Sequence, residues 1–270
     1  MKNRRLFSLY ISTILAVMYI PILLVIVYSF NQSRLSSVWS GFTLSWYREL
    51  FRDRSMFEAL WNSLVLGLLT SLCSAIIGSL GAAGMARARP MPLSRLRTAG
   101  GKIMEYLSIL PIMTPEIIMG VTFLAFFSLL SLPFGMLTLL ISHTAFCFPY
   151  TYLLVRARLA GLDKSYVEAA RIMGAGGLRV FYDITLPLAL PAVLSGMLIS
   201  FAMSFDDVIV SAFVGGVHTN TLPIKIYSQI KTGVTPKTNA LCTLLFILTV
   251  ALCLAAAALA RKGSGDRADT

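Results

Sequence analysis

Long apolar stretches free of charge constrain this chain more than any other feature of its sequence. A helix needs about 20 apolar residues to cross a bilayer, and the hydrocarbon core admits only helices or closed barrels. Five long apolar runs contain no Asp, Glu, Lys or Arg: Leu6–Phe30, Leu60–Met85, Met136–Val155, Ile184–Phe205 and Ala240–Ala260. A further apolar run, Lys102–Leu132, has the acid Glu116 at its centre. These runs predict an all-α polytopic membrane protein with six transmembrane helices.

Lys and Arg are distributed unequally over the segments between these runs. Sixteen of the 23 basic residues fall in the N-terminus, the Ala86–Lys102 and Arg156–Asp183 loops and the C-terminal tail. The positive-inside rule therefore predicts that both termini lie in the cytoplasm. Because this bias also accounts for the net charge of +11, no nucleic-acid partner is expected. We expect a single transmembrane domain over residues 1–262 and a short polar tail over residues 263–270.

A polar, turn-rich segment, EAARIMGAGGLRVFYDITLP, begins at Glu168 between two of the apolar runs. Gly174 stands where a helix would end on a left-handed residue, and the glycines after it indicate a turn. A second short helix, Leu178–Ile184, is expected to run up to Pro187. The sequence thus predicts a helix–turn–helix elbow over about residues 161–187 on the cytoplasmic side. Two interpretations stay open: Glu168 only caps a helix and the glycines only turn the chain, or the elbow receives another protein.

The spacing E-A-A, three residues, G, nine residues, I-x-L-P in this elbow resembles the signature loop of membrane subunits of ATP-binding-cassette (ABC) importers. The resemblance implies a type I ABC-importer transmembrane domain whose elbow docks on a cytoplasmic ATPase dimer. The chain has no G-x-x-x-x-G-K-[ST] phosphate loop. ATP and magnesium are therefore expected on the partner, with no cofactor on this chain, which is not expected to be an enzyme. The coupling residues implied are Glu168, Ala169, Ala170, Gly174, Leu186 and Pro187.

Acidic residues within the apolar runs indicate what could pass through. Glu116 lies in mid-span, where an ionisable group costs about 2.5–3.5 kcal/mol and normally faces a cavity or a partner. The alternative is a structural role, with Glu116 protonated or paired, for example with His143. Asp206 and Asp207 lie near the end of the run Ile184–Phe205. The alternative for these two residues is a helix-end pair in the headgroup region. Together the three acids predict a path that favours cations and opposes anions.

Further motifs resemble a narrower family, the spermidine/putrescine permease subunits, over nearly the whole chain: TPEIIMG, SHTAFCFPY, SFDDVIVSAFV and LPIKIYSQIKTGVTPKTNAL. In that family the residue at Glu116 is usually an aspartate. The resemblance implies a permease domain in the bacterial inner (plasma) membrane that forms half of an ATP-driven path for polyamines. It also implies a second homologous permease subunit and an extracytoplasmic polyamine-binding protein. Tyr227 is a further path candidate, because aromatic faces bind ammonium groups, although a packing or interface role is the alternative.

Two other functions remain open at this stage. The chain could be an ABC-importer permease for another cationic solute, such as an amino acid or a metal. It could also be a secondary transporter or channel, which would need no coupling loop. A membrane enzyme is disfavoured, because the two histidines and four cysteines show neither metal-ligand nor nucleophile spacing, so no metal site is expected.

Overall fold

The computed structural model describes residues 2–34, 38–87, 106, 108–163, 165–217 and 219–265. Within these ranges the chain is helical apart from short connections, as the sequence predicted. Most of the Ala86–Lys102 loop, the start of the run Lys102–Leu132 and residues 266–270 lie outside the described part. The helices are α1 (Lys2–Tyr28), α2 (Ser45–Arg52), α3 (Arg54–Arg87), α4 (Glu116–Leu129), α5 (Met136–Ala160), α6 (Ser165–Ile172), α7 (Gly177–Val180), α8 (Leu186–Asp206), α9 (Ile209–Val214), α10 (Leu222–Thr232) and α11 (Pro236–Gly265).

Four helical segments of the described chain are long and apolar enough to cross a membrane: Tyr10–Tyr28, Arg54–Met85, Met136–Ala160 and Gly177–Asp206. They correspond to the first, second, fourth and fifth predicted spans. The third and sixth correspond to the shorter apolar helices Glu116–Leu129 and Pro236–Ala251. The all-helical prediction is confirmed, and four of its six spans reach membrane-crossing length in the described residues.

The chain forms two compact units, and the first comprises residues 1–57 and 226–270. In this unit α11 packs against α1 and α2. Lys237 ties α11 to the end of α2, because its ammonium lies 2.7 Å from the Asp53 carboxylate and 3.4 Å from that of Glu49. Asn31 is fully buried, and its backbone carbonyl accepts the indole N–H of Trp46 over 2.7 Å. These polar contacts fix the connection between α1 and α2.

The second unit, residues 58–225, depends on close approach of helix backbones. A Cβ built on Gly78 of α3 would lie 2.8 Å from the backbone nitrogen of Tyr152 on α5, and one built on Gly196 of α8 would lie 2.8 Å from the Thr151 side chain. Such close packing replaces the hydrophobic effect between helices in lipid. The small residues that recur at every fourth position of α3 are correspondingly buried: Ser71, Ala75, Ser79 and Ala83.

Two helix interruptions lie in this second unit. Residues 108–113 are helical, the helix stops at Thr114 and Pro115, and α4 begins at Glu116. Pro115 explains this break, because it has no N–H and disfavours helical geometry at the residue before it. The second break follows Asp206, where Asp207 is extended (φ −67°, ψ 127°) before α9 begins. The short helix α9 packs against α4 and α5.

The helix–turn–helix elbow predicted from the sequence is present, with one correction. Gly174 has φ +80°, and the N–H groups of Gly174 and Ala175 donate to the carbonyls of Arg171 and Ala170. This pair of bonds is the left-handed helix ending that was predicted. The second short helix does not end at Pro187, however. It continues from α7 through a π-helical turn, Phe181–Thr185, directly into α8.

The π-helical turn has a local cause in the prolines at the start of α8. Pro187 has no N–H, so the carbonyl of Asp183 lacks the donor that a regular helix would supply. The turn widens instead, and the Leu186 N–H donates to the carbonyl of Phe181, five residues earlier. The elbow is therefore joined to α8 without a flexible linker.

Candidate functional site

Glu116 and Asp207 line one cavity of about 200 Å³ in the second unit. Each stands at one of the two helix interruptions, Glu116 after the break at Pro115 and Asp207 after the end of α8. Phe146 and Tyr150 of α5 contribute aromatic wall to the same cavity. Irregular backbone at membrane depth is tolerated where it lines a cavity, and here both irregular segments do so. The arrangement combines two carboxylates with aromatic surface, which suits a cation with an apolar body.

Glu116 is the first residue of α4 and is exposed in the isolated chain. An acid in the first helical turn interacts favourably with the helix dipole, by about 0.3–1 kcal/mol. The interruption at Pro115 thus creates a helix start at which this acid is accommodated. The suggested pairing of Glu116 with His143 is not found, because both ring nitrogens of His143 bond to serine hydroxyls.

Asp207 is held by the helix that follows it. Its carboxylate accepts the backbone N–H groups of Ser211 over 2.7 Å and of Val210 over 3.2 Å. The side chain is 5% exposed, although it contributes to the cavity wall. Asp206, by contrast, is exposed and is not among the residues that line the cavity. The two adjacent acids, which the sequence analysis treated as a pair, therefore occupy different environments.

Tyr150 is a site residue that the sequence analysis missed, and His143 was considered there only as a possible partner of Glu116. His143 is fully buried, and its Nε2 lies 3.5 Å from Asp207 Oδ2. A signal was available, since His143 is the one imidazole in an apolar run without Asp, Glu, Lys or Arg. Tyr150 carried no comparable signal, because an aromatic residue in an apolar helix usually packs.

Tyr227 belongs to the first unit, where it is half exposed on α10. The ammonium of Lys231, one helical turn later, lies 4.7 Å from the centroid of the Tyr227 ring. The ring therefore already binds a cation by the kind of contact that suggested it as a path residue.

The elbow presents an apolar surface. No residue of α6 is buried, and Ile172, Met173 and Leu178 are 75–88% exposed. Ala170, Gly174 and Val180 line a cleft of about 290 Å³ beside them. A cluster of exposed apolar side chains on a polar segment is typical of a protein contact.

The coupling residues predicted from the sequence all lie on this elbow or at its junction with α8. Glu168 and Ala169 are exposed on α6, Ala170 is partly buried and Gly174 forms the turn. Leu186 and Pro187 open α8. At the start of α6 the Ser165 N–H donates to the Asp163 carboxylate over 2.9 Å and holds the pKa of Asp163 below its usual range.

Comparison with known proteins identifies the family. A family described as binding-protein-dependent transport system inner membrane component matches residues 75–262. The chain belongs to this family. It is a permease subunit of the ABC-importer class, and it is an inner membrane component with several apolar helices.

Curated relatives of this permease subunit match it over 84–100% of its length. The spermidine/putrescine transport system permease protein PotC of Haemophilus influenzae is 37% identical over 98% of both chains. PotC of Escherichia coli K12 is 38% identical over 100% of this chain and 99% of that protein. The putrescine transport system permease protein PotI of the same organism is 37% identical over 84% of this chain and 81% of its own length.

Solved structures share the fold of this permease at much lower identity. A chain of a bacterial ABC transporter involved in the import of the acidic polysaccharide alginate superposes with a TM-score of 0.70 and 15% identity, covering 97% of this chain and 98% of its own. A chain of the MetNI methionine ABC transporter gives a TM-score of 0.60 and 19% identity, covering 79% of this chain and 95% of its own. At these identities the likeness concerns the fold alone.

Proposed function

We propose that this permease subunit forms half of the translocation path of an ATP-driven importer of polyamines. The observation that carries the proposal is the cavity in which Glu116 and Asp207 meet beside Tyr150. A diamine or triamine presents ammonium groups separated by methylenes. Two carboxylates on separate elements match two such charges, and the aromatic wall suits the methylenes between them.

The relatives favour polyamines over other cations. The PotC proteins are permeases of spermidine/putrescine transport systems, and PotI is one of a putrescine transport system. The alignment with PotC of Escherichia coli K12 covers 100% of this chain and therefore includes the segments that form the cavity. Asp206, exposed at the end of α8, would attract the cation on its approach, whereas Glu116 and Asp207 would contact it. Tyr227 would take part only if Lys231 left its ring.

In this proposal the chain has six membrane-crossing helices in the type I importer arrangement, with both termini in the cytoplasm. Its partners are a second homologous permease subunit, a cytoplasmic ATPase dimer that holds ATP and magnesium, and an extracytoplasmic polyamine-binding protein. The apolar elbow around Ile172 and Leu178 supports the ATPase contact. Because the elbow continues into α8 without a loop, a push on α6 is transmitted towards Asp206 and Asp207 at the far end of α8.

The test is uptake by the complete complex in proteoliposomes. Putrescine and spermidine are compared with arginine, as a cationic amino acid, and with Mn²⁺. We expect ATP-dependent uptake of the polyamines, and Glu116→Gln should lower it about tenfold, the factor that corresponds to 1.4 kcal/mol, while the complex still assembles. The matched control is Glu58→Gln, an exposed acid at the start of α3. Preference for arginine or Mn²⁺ would assign another cationic solute, and uptake without ATP would indicate a secondary transporter or channel.

A further inference from the structure

His143 lies beside the interruption between α8 and α9. On α5 its ring is fully buried, and its Nδ1 shares a hydrogen bond of 2.8 Å with the hydroxyl of Ser204 on α8. Its Nε2 shares one of 3.0 Å with the hydroxyl of Ser211 on α9. One side chain therefore ties both sides of the helix interruption to a third helix. A neutral imidazole offers one donor and one acceptor nitrogen, and these two hydroxyls use both.

Ser211 connects this ring to the cavity. Its backbone N–H donates to Asp207 Oδ2 over 2.7 Å, while its hydroxyl bonds to His143. The same carboxylate oxygen lies 3.5 Å from Nε2 of the ring. Ser204 and Ser211 are both buried, so neither hydroxyl can exchange the imidazole for water without reorganisation of the break.

We propose that His143 is a positioning residue for import. By bridging the break between α8 and α9, it holds the Asp207 carboxylate in the cavity wall in the orientation that receives an ammonium group of the substrate. A carboxylate that is already fixed binds a cation more tightly than a mobile one, because no ordering remains to be done on binding. This inference rests on the proposed function of the cavity as part of a cation path.

The two ring nitrogens can be replaced one at a time. A glutamine amide reaches the position of Nε2, so His143→Gln keeps a partner for Ser211 next to Asp207. An asparagine amide reaches only the position of Nδ1, so His143→Asn keeps the contact to Ser204 alone. His143→Phe retains a ring and removes both contacts. The matched control is Ser142→Ala, which removes a neighbouring buried hydroxyl that donates to carbonyls of its own helix.

The measurement is equilibrium binding of radiolabelled putrescine to the purified complex of permease and ATPase subunits. We expect His143→Asn and His143→Phe to raise Kd about tenfold, as loss of one hydrogen bond in a charged network would. His143→Gln and Ser142→Ala should stay within about twofold of the native Kd. If His143→Phe fails to assemble, the Gln and Asn variants decide the question. Equal Kd values for those two variants would overturn the proposal.

A second comparison tests whether His143 acts through Asp207. In an Asp207→Asn background, His143→Phe should raise Kd by less than about twofold, because the group that it positions has lost its charge. An undiminished effect in that background would overturn the proposal.

Failure of the proposed function would be seen separately, as a native complex that neither binds nor imports putrescine or spermidine. The positioning of Asp207 is then judged by thermal unfolding of the complex. His143→Phe and Asp207→Asn should shift Tm non-additively. Additive shifts would show that the two side chains are independent and would overturn the inference.

Discussion

Replacement of Gly174 by serine should loosen the elbow and uncouple ATP hydrolysis from uptake. Gly174 has φ +80°, and no atom lies within 4 Å of a Cβ built there. The cost of a side chain is therefore conformational and not steric. An L-residue in the left-handed region costs roughly 1–2 kcal/mol, which changes the ratio of closed to open turn about 5- to 30-fold.

Gly176 provides a matched control two residues later. It also has open space around a built Cβ, but its backbone is extended (φ −64°, ψ 160°) and it stands at the N-cap of α7. Serine is favoured at such a position. Gly176→Ser therefore adds the same side chain to the same turn without backbone strain, and it should leave coupling unchanged.

Two assays follow the effect of Gly174→Ser. Amide hydrogen exchange at Ala175, whose N–H donates to the carbonyl of Ala170 over 3.0 Å, should lose protection about 5- to 30-fold. In proteoliposomes the complex should hydrolyse more ATP per polyamine imported. Equal behaviour of Gly174→Ser and Gly176→Ser in both assays would refute the reasoning, because only one of the two positions requires a left-handed residue.

Two further pairs of variants test the cavity and the packing of the second unit. Asp207→Asn should raise the Kd for putrescine about tenfold in equilibrium binding. Asp206→Asn should raise it less, because of the two acids only Asp207 lines the cavity. A larger effect of Asp206→Asn would contradict the assignment of Asp207 to the cation site. Gly196→Ala should destabilise the complex by about 1–3 kcal/mol, because the added Cβ lies 2.8 Å from Thr151. No atom lies within 4 Å of a Cβ built on Gly84, so Gly84→Ala should be neutral or stabilising in thermal unfolding. A larger loss of stability for Gly84→Ala than for Gly196→Ala would contradict the packing.

Local rules predicted the elements that depend on local causes. The apolar runs predicted an all-helical protein, because the hydrocarbon core of a bilayer admits only helices and closed barrels. Gly174 was predicted as a left-handed helix end from its position after a helical pattern, and its φ confirms this. The elbow's second helix was misjudged, because Pro187 was taken as a helix end. A proline in the first turn of a helix is tolerated, and a π-helical turn absorbs the missing donor before it.

The cavity was only partly predictable, because it is made by contacts between distant parts of the chain. Glu116 and Asp207 were both identified as charges in apolar surroundings, but nothing local indicates that their helix breaks meet. The same limit explains why Asp206 and Asp207 were treated alike: the capping of α9 by Asp207 depends on a short helix that the apolar pattern does not delimit. His143 was noticed only as a partner for Glu116, since its serine partners lie on other helices.

ATP dependence of transport tests the central claim most directly. We reconstitute two samples in vesicles with putrescine outside. One is the purified subunit alone, and the other is its complex with the proposed permease, ATPase and binding-protein partners. We predict uptake only by the complete complex with hydrolysable ATP and magnesium, and none when a non-hydrolysable analogue replaces ATP. Putrescine transport by the isolated chain without ATP would contradict the account.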